Sequence, residues 1–319
     1  MELMEGATQE IKPSRSSKGL AVIITNDYSS TKDQAANGDS SDEAAKYDPL
    51  STKNDGSRLQ EAFKAISYDV HWEHNVRACD VHRMWSQVEN LKYEEVKHYR
   101  CIVFIFSGHG EQSEEDTSAG GKLVMQDGSK VRIFQEFIAP LLPGQLPSIG
   151  RIPKVFIIDA CRGSEKTEIV QVPRKSPKNN SKGKDEASPD PAATADEHMR
   201  KGCNEILFPI PKKGNFLISF STLPGCISND IRGDGSAWLK LLAEEIPISD
   251  ESIDNVLTGL NKKLHTYYRQ HNCDFQQPQK VSTLNDVLRL RYDNNESHAG
   301  MYILCTLIFI ILPTVACSL

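Results

Sequence analysis

Several patterns that would assign the chain to a common class of protein are missing from its sequence. The eight cysteines form no Cys-x-x-Cys pair, so no disulfide framework is indicated. The first nineteen residues carry charges throughout and lack the apolar core of a secretory signal. No phosphate-binding loop or dinucleotide fingerprint occurs, and the net charge of −6 provides no basic field for nucleic acid. These absences favour a globular protein of a reducing, cytosolic compartment whose main partners are not nucleic acids.

Apolar residues make up 39% of the chain, which is enough for one buried core. Apolar runs at 20–25, 101–107 and 154–159 predict strands that are buried on both faces. Further strands are predicted at 68–74, 215–221 and 281–290. Helical periodicity recurs between the strands, for example from Leu59 to Ile66. Strands that alternate with helices predict an α/β domain with a doubly wound, mostly parallel sheet.

Residues 165–213 differ in composition from the segments on either side. They hold six of the sixteen prolines within a polar and charged run, which predicts a disordered linker. The blocks 20–164 and 214–292 together have the size of a single domain. We therefore predict one domain over 20–292 with a long internal linker, preceded by a disordered N-terminus over 1–19.

The C-terminal segment 299–319 has no charged residue over its 21 positions. As a helix it would be about 31 Å long, which is enough to cross the hydrocarbon core of a bilayer. Arg289 and Arg291 precede it and suit a cytoplasmic flank. We predict a transmembrane tail anchor on a cytosol-facing domain, with a buried terminal helix as the alternative.

Two predicted strands run directly into residues that can do chemistry. His109 and Cys161 each lie two residues beyond the end of such a strand. Because ligands bind outside the carboxyl ends of strands in a doubly wound sheet, we expect both side chains at one edge. A thiol beside the positive charge of Arg162 is a candidate nucleophile, with His109 as its proton partner. Gly110 and Cys161 are candidates to bind an oxyanion through their backbone N–H groups.

The segments around these two residues resemble the caspase superfamily of cysteine endopeptidases. The resemblance rests on FSGHGE at 106–111, IIDACRG at 157–163, and FSTLPG with DGSAW between 220 and 238. It implies a caspase-like fold with a six-stranded sheet flanked by helices, and a dyad of Cys161 and His109 that forms a thioacyl-enzyme. It also implies protein or peptide substrates and no cofactor, and it leaves open whether calcium activates the enzyme. The plainer alternative is that both residues are core residues at strand ends.

The predicted specificity pocket departs from the caspase pattern. Caspases hold a P1 aspartate with a glutamine two residues before the nucleophile and with two arginines. Here Asp159 occupies the glutamine position, Asp230 occupies one arginine position, and the other falls near Pro49. Paracaspases and metacaspases have acidic pockets and cleave after Arg or Lys, and Asp55 matches their acidic residue before the first helix. This resemblance implies the same specificity, because an acidic pocket repels a P1 carboxylate.

Alternatives to this interpretation stay open at both levels. Taken one at a time, Asp55 suits a helix N-cap, Asp230 a turn, and Asp159 the end of a strand. For the whole protein, an endopeptidase of regulatory signalling competes with two other hypotheses. One is an Asp-specific caspase of apoptotic or immune signalling, and the other is a non-catalytic scaffold that keeps the caspase-like fold.

Three further predictions concern processing, assembly and metal. The linker offers exposed basic residues as processing sites, with two aspartates as alternatives if the pocket accepts Asp. These are Arg174, Lys175, Arg200 and Lys201, and the alternatives are Asp190 and Asp196. Many members of the family that the chain resembles form homodimers through the last strand, here near 281–290, and others are monomers, so both states stay open. A zinc site is not predicted, although His71, His74, Cys79 and His82 have a spacing that zinc can use.

Overall fold

The structure is a computed structural model. It describes residues 18–29, 46–90, 99–112, 120–142, 145, 149–150, 152–167, 215–271 and 273–291.

A six-stranded sheet forms the centre of the molecule, as predicted. Its strands are β1 (Leu20–Thr25), β2 (Asp69–His74), β3 (Ile102–Ser107), β7 (Lys154–Asp159), β8 (Phe216–Phe220) and β11 (Gln279–Ser282). They lie in the order β11-β8-β7-β3-β1-β2, and only β11 runs antiparallel to its neighbour. The strands β1, β3 and β7 are buried along their whole length, which explains their unbroken apolar sequences.

Helices cover both faces of this sheet. The helices are α1 (Thr52–Ala65), α2 (Ala78–Asn90), α3 (Ala237–Glu245) and α4 (Ile253–His271). On one face, Trp85 of α2 packs with Phe104 and Phe156 in one apolar cluster. On the other face, α1, α3 and α4 pack against the alternate strand residues, such as Val103 and Ile157. The two-residue period of the strands therefore divides their apolar side chains between two core layers.

Two small sheets stand beside the central one at the edge where the site lies. One joins β4 (Gly110–Glu111), β5 (Lys122–Val124) and β6 (Lys130–Arg132), and a short helical stretch over 133–141 follows it. The other is a hairpin of β9 (Asp230–Ile231) and β10 (Gly235–Ser236). Both follow strands of the central sheet that end at this edge.

The predicted last strand is wrong in its extent. The register of β11 ends with Ser282 opposite Leu217, and one more hydrogen bond joins the Thr283 N–H to the carbonyl of Phe216, where β8 begins. The chain beyond leaves the sheet, and Leu288 and Leu290 are buried against the α3 and α4 side of the core. A dimer contact through the last strand therefore concerns Gln279–Ser282 rather than 281–290.

Several predictions fall on residues that the structure does not describe. They include nearly all of the N-terminus, most of the linker at 165–213, and the apolar segment 299–319. Among the described residues, no helix combines the length and the apolar character that crossing a bilayer requires. The tail anchor, which lies outside the described residues, stays a prediction.

Candidate active site

The central sheet brings the two predicted catalytic residues to one edge. β3 and β7 pair in register, with Ser107 opposite Asp159, so the residues that follow them emerge side by side. Both His109 and Cys161 line a cavity of about 760 Å³ at this edge. The expectation that they face a common cleft is confirmed.

One neighbour decides which nitrogen of the His109 ring is basic. The Nε2 atom lies 2.7 Å from the backbone carbonyl oxygen of Asp48, and a carbonyl oxygen can only accept a hydrogen bond. Nε2 therefore carries the proton, which leaves the lone pair on Nδ1. Burial lowers the pKa of His109 from its usual value, so the free imidazole is neutral at neutral pH.

Tyr28 holds His109 in place, and nothing in the sequence pattern pointed to it. Its hydroxyl accepts the backbone N–H of His109 at 3.1 Å and donates to the carbonyl of Val124 at 2.5 Å. The two rings pack with centroids 4.7 Å apart. Tyr28 is fully buried and has a φ of +56°, a conformation that costs energy for a residue with a side chain.

The hydrogen-bond contacts of the Cys161 thiol are with the backbone of Ser228. The backbone N–H of Ser228 donates to Sγ at 3.3 Å, and its carbonyl oxygen lies 3.6 Å from the same sulfur. Burial raises the pKa of Cys161, and the charge of Asp159 raises it further. Within the described residues, no hydrogen bond joins the sulfur to the His109 ring. The resting pair is therefore a neutral thiol and a neutral imidazole.

The prediction that the positive charge of Arg162 favours the Cys161 thiolate was wrong. Its guanidinium lies 4.1 Å from the ring centroid of Phe220 and donates to Gln279 at 2.8 Å. The side chain is buried in this arrangement and does not figure among the causes that shift the pKa of Cys161. Adjacency in sequence misled here because the contacts with Phe220 and Gln279, which are distant in sequence, decide the direction of the side chain.

Gly110 lies directly against the nucleophile turn. A Cβ atom on Gly110 would come 2.4 Å from the carbonyl oxygen of Cys161 and 2.8 Å from Cβ of Ala160. Only glycine fits so close an approach. The backbones of Gly110 and Cys161 are thus neighbours, as an oxyanion site requires, while their role in binding an oxyanion stays a prediction.

The three predicted pocket aspartates come together and are called the acidic pocket below: Asp55, Asp159 and Asp230. Asp159 and Asp230 line the cavity. Asp55 is only 1% exposed and lies behind Ser107, whose hydroxyl donates to it at 3.0 Å. A second bond to Asp55 comes from the backbone N–H of Ser236, also at 3.0 Å. The helix-cap alternative for Asp55 is wrong, because α1 begins three residues earlier.

The other two members of the acidic pocket also receive hydrogen bonds from neutral donors. Asp159 accepts the Ser228 hydroxyl at 2.6 Å. Asp230 accepts the backbone N–H of Ser51 at 3.2 Å and belongs to β9 rather than to a turn. Ser228 thus contacts both the nucleophile and the acidic pocket, and it is a second residue that the sequence pattern did not reveal.

Burial and mutual repulsion raise the pKa values of all three carboxyl groups of the acidic pocket. Burial raises the pKa of Asp55 to about 8, with the charge of Asp159 as the next cause. Burial raises the pKa of Asp230 to about 6 and also raises that of Asp159. No Lys, Arg or His within the described part of the chain forms an ion pair with these carboxylates. A cation that enters the pocket would therefore stabilise the ionised carboxylates.

The histidines considered for zinc have other partners. His71 contacts Glu73 at 3.1 Å, and His74 contacts Thr25 and Asp27 at 2.8 and 3.1 Å. Across the described ranges, no group of three His, Cys, Asp or Glu side chains could hold a metal ion.

Fold and site together define a doubly wound α/β protein with a cysteine and a histidine at the ends of neighbouring strands. A sequence profile of the caspase domain matches residues 18–289. The chain therefore belongs to the caspase domain family of cysteine peptidases.

Individual relatives are distant in sequence. The chain is 22% identical over 245 residues to caspase-8 of Rattus norvegicus, covering 76% of this chain and 45% of that protein. It is 26% identical over 191 residues to caspase-9 of Homo sapiens, covering 59% and 44%. The chain spans about half the length of these curated relatives. The crystal structure of caspase-1 from Spodoptera frugiperda is similar with a TM-score of 0.62 and 18% identity, over 89% of this chain and 93% of that chain, which confirms the fold.

Proposed function

We propose that the protein is a cysteine endopeptidase in which Cys161 is the nucleophile and His109 is the general acid and base. The observation that carries the proposal is that both residues line one cavity and that the Asp48 carbonyl leaves Nδ1 of His109 basic. These are the two groups that thiol-based acyl transfer needs.

The reaction follows from this geometry. A substrate carbonyl enters beside Cys161, the sulfur adds to its carbon, and Nδ1 of His109 takes the thiol proton. The N–H groups of Gly110 and Cys161 stabilise the oxyanion. His109 then gives the proton to the departing amine, which leaves a thioester. A water activated by Nδ1 cleaves the thioester and restores the thiol.

Active-site titration tests this assignment. A peptidyl electrophile should label Cys161 with one equivalent, as located by mass spectrometry, and should not label Cys226 or Cys79. Cys161→Ala should abolish turnover and labelling, whereas Cys79→Ala, at an exposed position, should leave both unchanged. Turnover by Cys161→Ala at the wild-type rate would refute the proposal. A folded, unlabelled wild type would favour the scaffold alternative.

We also propose that the enzyme cleaves after Arg or Lys, in line with the acidic pocket. A P1 guanidinium or ammonium would be attracted by carboxylates that lack a cation among the described residues. A P1 aspartate would add a further negative charge to a partly desolvated group of three, which is unfavourable. An Asp-specific pocket is therefore the weaker hypothesis, and the tests of this point are given in the Discussion.

Two regions outside the described residues supply further proposals. If the pocket takes basic side chains, self-processing falls at Arg174, Lys175, Arg200 or Lys201, and mass spectrometry of the purified protein would locate the new termini. Cleavage at Asp190 or Asp196 instead would contradict the pocket assignment.

The segment 299–319 is proposed as a membrane anchor. Flotation of the full chain with liposomes, and its loss from a chain ending at residue 298, would test that role.

Assembly is proposed through β11. This strand lies at the edge of the sheet and pairs with β8 on one side, so its other side offers backbone groups to a second copy. Thr283 donates its N–H to Phe216 of β8, so by alternation the N–H of Ser282 faces the free edge. Light scattering should give twice the monomer mass, and Ser282→Pro should reduce it to the monomer mass. A monomer at high concentration would overturn this proposal.

A further inference from the structure

A row of hydrogen-bonded side chains lies beside the active site, where β1 and β2 end. The two strands pair in parallel, with Thr25 opposite His74 at their last residues, and the Thr25 hydroxyl lies 2.8 Å from Nδ1 of His74. The indole N–H of Trp72 donates to the same hydroxyl at 2.9 Å. Nε2 of His74 lies 3.1 Å from the carboxylate of Asp27. The proposed reaction uses none of these four side chains.

The chemistry of the members gives each of these hydrogen bonds a direction. An indole N–H can only donate, and a carboxylate can only accept. The Thr25 hydroxyl is fully buried, and among the described residues Nδ1 of His74 is the acceptor within reach of its hydrogen. Nε2 of His74 therefore carries the ring proton and donates it to Asp27. His74 is thus a neutral donor that is held in one tautomer.

The carboxylate of Asp27 closes a turn over residues 27–29, which is called the Tyr28 turn below. One of its oxygens accepts the backbone N–H and the hydroxyl of Ser29, at 3.1 and 2.9 Å, and the other accepts from His74. Burial acts to raise the pKa of Asp27, but its hydrogen bonds, the strongest of them from Ser29, outweigh burial and lower the pKa. A side chain that bonds two residues ahead stabilises a positive φ at the residue between them. That residue is Tyr28, whose φ is +56°.

Both supports of His109 start from the Tyr28 turn. The Tyr28 hydroxyl accepts the backbone N–H of His109 at 3.1 Å. The backbone carbonyl of Asp27 accepts the N–H of Leu50 at 2.9 Å. Two residues before Leu50, the carbonyl of Asp48 accepts from the His109 ring at 2.7 Å. A displacement of the turn would therefore move the support of the His109 backbone and that of its ring together.

We propose that His74 and Asp27 are positioning residues, whose hydrogen bond holds the Tyr28 turn and thereby fixes His109 for catalysis. The inference rests on the proposed peptidase function, because the orientation of His109 matters for turnover only if its ring transfers protons. A misplacement of about 1 Å in a catalytic group can cost roughly 100-fold in rate. Neither His74 nor Asp27 is among the described residues that line the cavity, so substrate binding should not depend on them.

The experiment compares His74→Phe, which keeps a ring but loses the donor, with His74→Gln, whose amide nitrogen can still donate to Asp27. Each full-length variant is assayed, per titrated active site, on an amide and on an activated ester with the same acyl group. Amide cleavage needs His109 as base and as acid, whereas a good leaving group needs no acid. His74→Phe should lower the amide-to-ester ratio of kcat/KM roughly tenfold, through kcat for the amide and with KM unchanged. His74→Gln should keep the ratio within about twofold of the wild type, and so should the control His71→Phe at an exposed position of β2.

NMR of isotope-labelled histidine gives a readout that does not need turnover. At mildly alkaline pH, the ring of His109 should be the Nε2–H tautomer in the wild type and in His74→Gln, and a mixture of tautomers in His74→Phe. If His74→Phe does not fold, Thr25→Val replaces it, because this change removes the buried hydroxyl with little change of shape. It should lower the amide-to-ester ratio about threefold.

The outcomes separate this inference from the proposed function. A wild-type amide-to-ester ratio in His74→Phe, or in Thr25→Val where it replaces that variant, would overturn the positioning role while Cys161 remains the nucleophile. Equal losses of the ratio in His74→Phe and His74→Gln would also overturn it, because the donor to Asp27 would then be irrelevant. If the wild type has no turnover, the proposed function fails, and an unchanged His109 tautomer in His74→Phe would still refute the link between His74 and His109.

Discussion

Asp234 and the acidic pocket both adjoin the β9–β10 hairpin, and their carboxyl groups have opposite kinds of partners. Asp234 binds Lys240 at 2.8 Å and also binds Arg58. These bonds lower the pKa of Asp234, and the hydrogen bond from Lys240 has the largest effect. Among the described residues, the acidic pocket receives only hydroxyl and backbone N–H donors, and its pKa values are raised.

The comparison shows that, in the part of the chain that the structure describes, cations lie beside Asp234 and none lies beside the acidic pocket. Asp234 belongs to a turn, and its permanent ion pairs with Arg58 and Lys240 stabilise that turn. The acidic pocket lies on a cavity that leads to Cys161, where a permanent partner would block a substrate. We interpret the missing cation as the place of the P1 side chain. The predictions below test this contrast in order of decreasing effect.

The largest expected effect is that of Asp159→Asn on cleavage after Arg. The amide oxygen can still accept the Ser228 hydroxyl, so the shape remains while the charge is lost. We expect kcat/KM for a P1 Arg substrate to fall roughly 100-fold, the scale of removing one partner from a buried charge pair. The matched control is Asp234→Asn, which should leave cleavage after Arg within about twofold of the wild type. Equal losses in both variants would erase the contrast.

The next largest effect concerns how the preference for a charged P1 side chain over a neutral one changes with pH. Deprotonation of Asp230 near pH 6 and of Asp55 near pH 8 adds negative charge to the pocket. The ratio of kcat/KM for Arg to that for its neutral isostere citrulline should therefore rise by roughly tenfold from pH 5.5 to 8.5. Titration of His109 and Cys161 cancels in this ratio. Asp230→Asn should remove the lower part of the rise, and a flat ratio in the wild type would contradict the assignment.

The free energy of unfolding of the free enzyme should depend on pH because the buried carboxyl groups of the acidic pocket are destabilising when ionised. The folded-state pKa of Asp55 is about 8, above the ordinary value of 3.8 in the unfolded chain, so the folded state binds more protons between these values. The free energy of unfolding should therefore fall as the pH rises from about 5 to 8, on the order of a few kcal/mol. Asp55→Asn should remove most of this slope in urea unfolding curves. A slope that is unchanged in the variant would show that Asp55 is not the group responsible.

The smallest effect is expected where the cations are present. In Asp234→Asn the bonds to Arg58 and Lys240 weaken, but these side chains are about a third exposed. The free energy of unfolding should fall by about 1 kcal/mol or less, and its pH dependence above pH 5 should match that of the wild type. A loss of several kcal/mol would mean that the hairpin depends on this ion pair far more than its exposure indicates.

The order of strands and helices, and the shared edge that carries His109 and Cys161, could be predicted from sequence. Strands that are buried on both faces have a strong signal, an unbroken apolar run, and parallel topology then fixes where their carboxyl ends meet. The position of Asp159 followed from its place just before the nucleophile. Asp55 and Asp230 needed the resemblance to families with acidic pockets, because each alone suits an ordinary turn or cap.

The remaining features depend on contacts between residues far apart in the chain. Tyr28 reaches His109 across 81 positions, and Ser228 reaches Cys161 across 67. No local pattern marks such partners. Arg162 failed as a predicted activator for the same reason, since its direction is decided by Phe220 and Gln279. The end of β11 was misplaced because it depends on where β8 begins.

The most direct test of the central claim is the complete P1 preference of the purified, active-site-titrated protein. The measurement compares kcat/KM for peptides that differ only at P1, with Arg, Lys, citrulline and Asp as the decisive members. The acidic pocket predicts that Arg and Lys exceed citrulline and that Asp is cleaved least. Efficient cleavage after Asp, with none after Arg or Lys, would contradict the account.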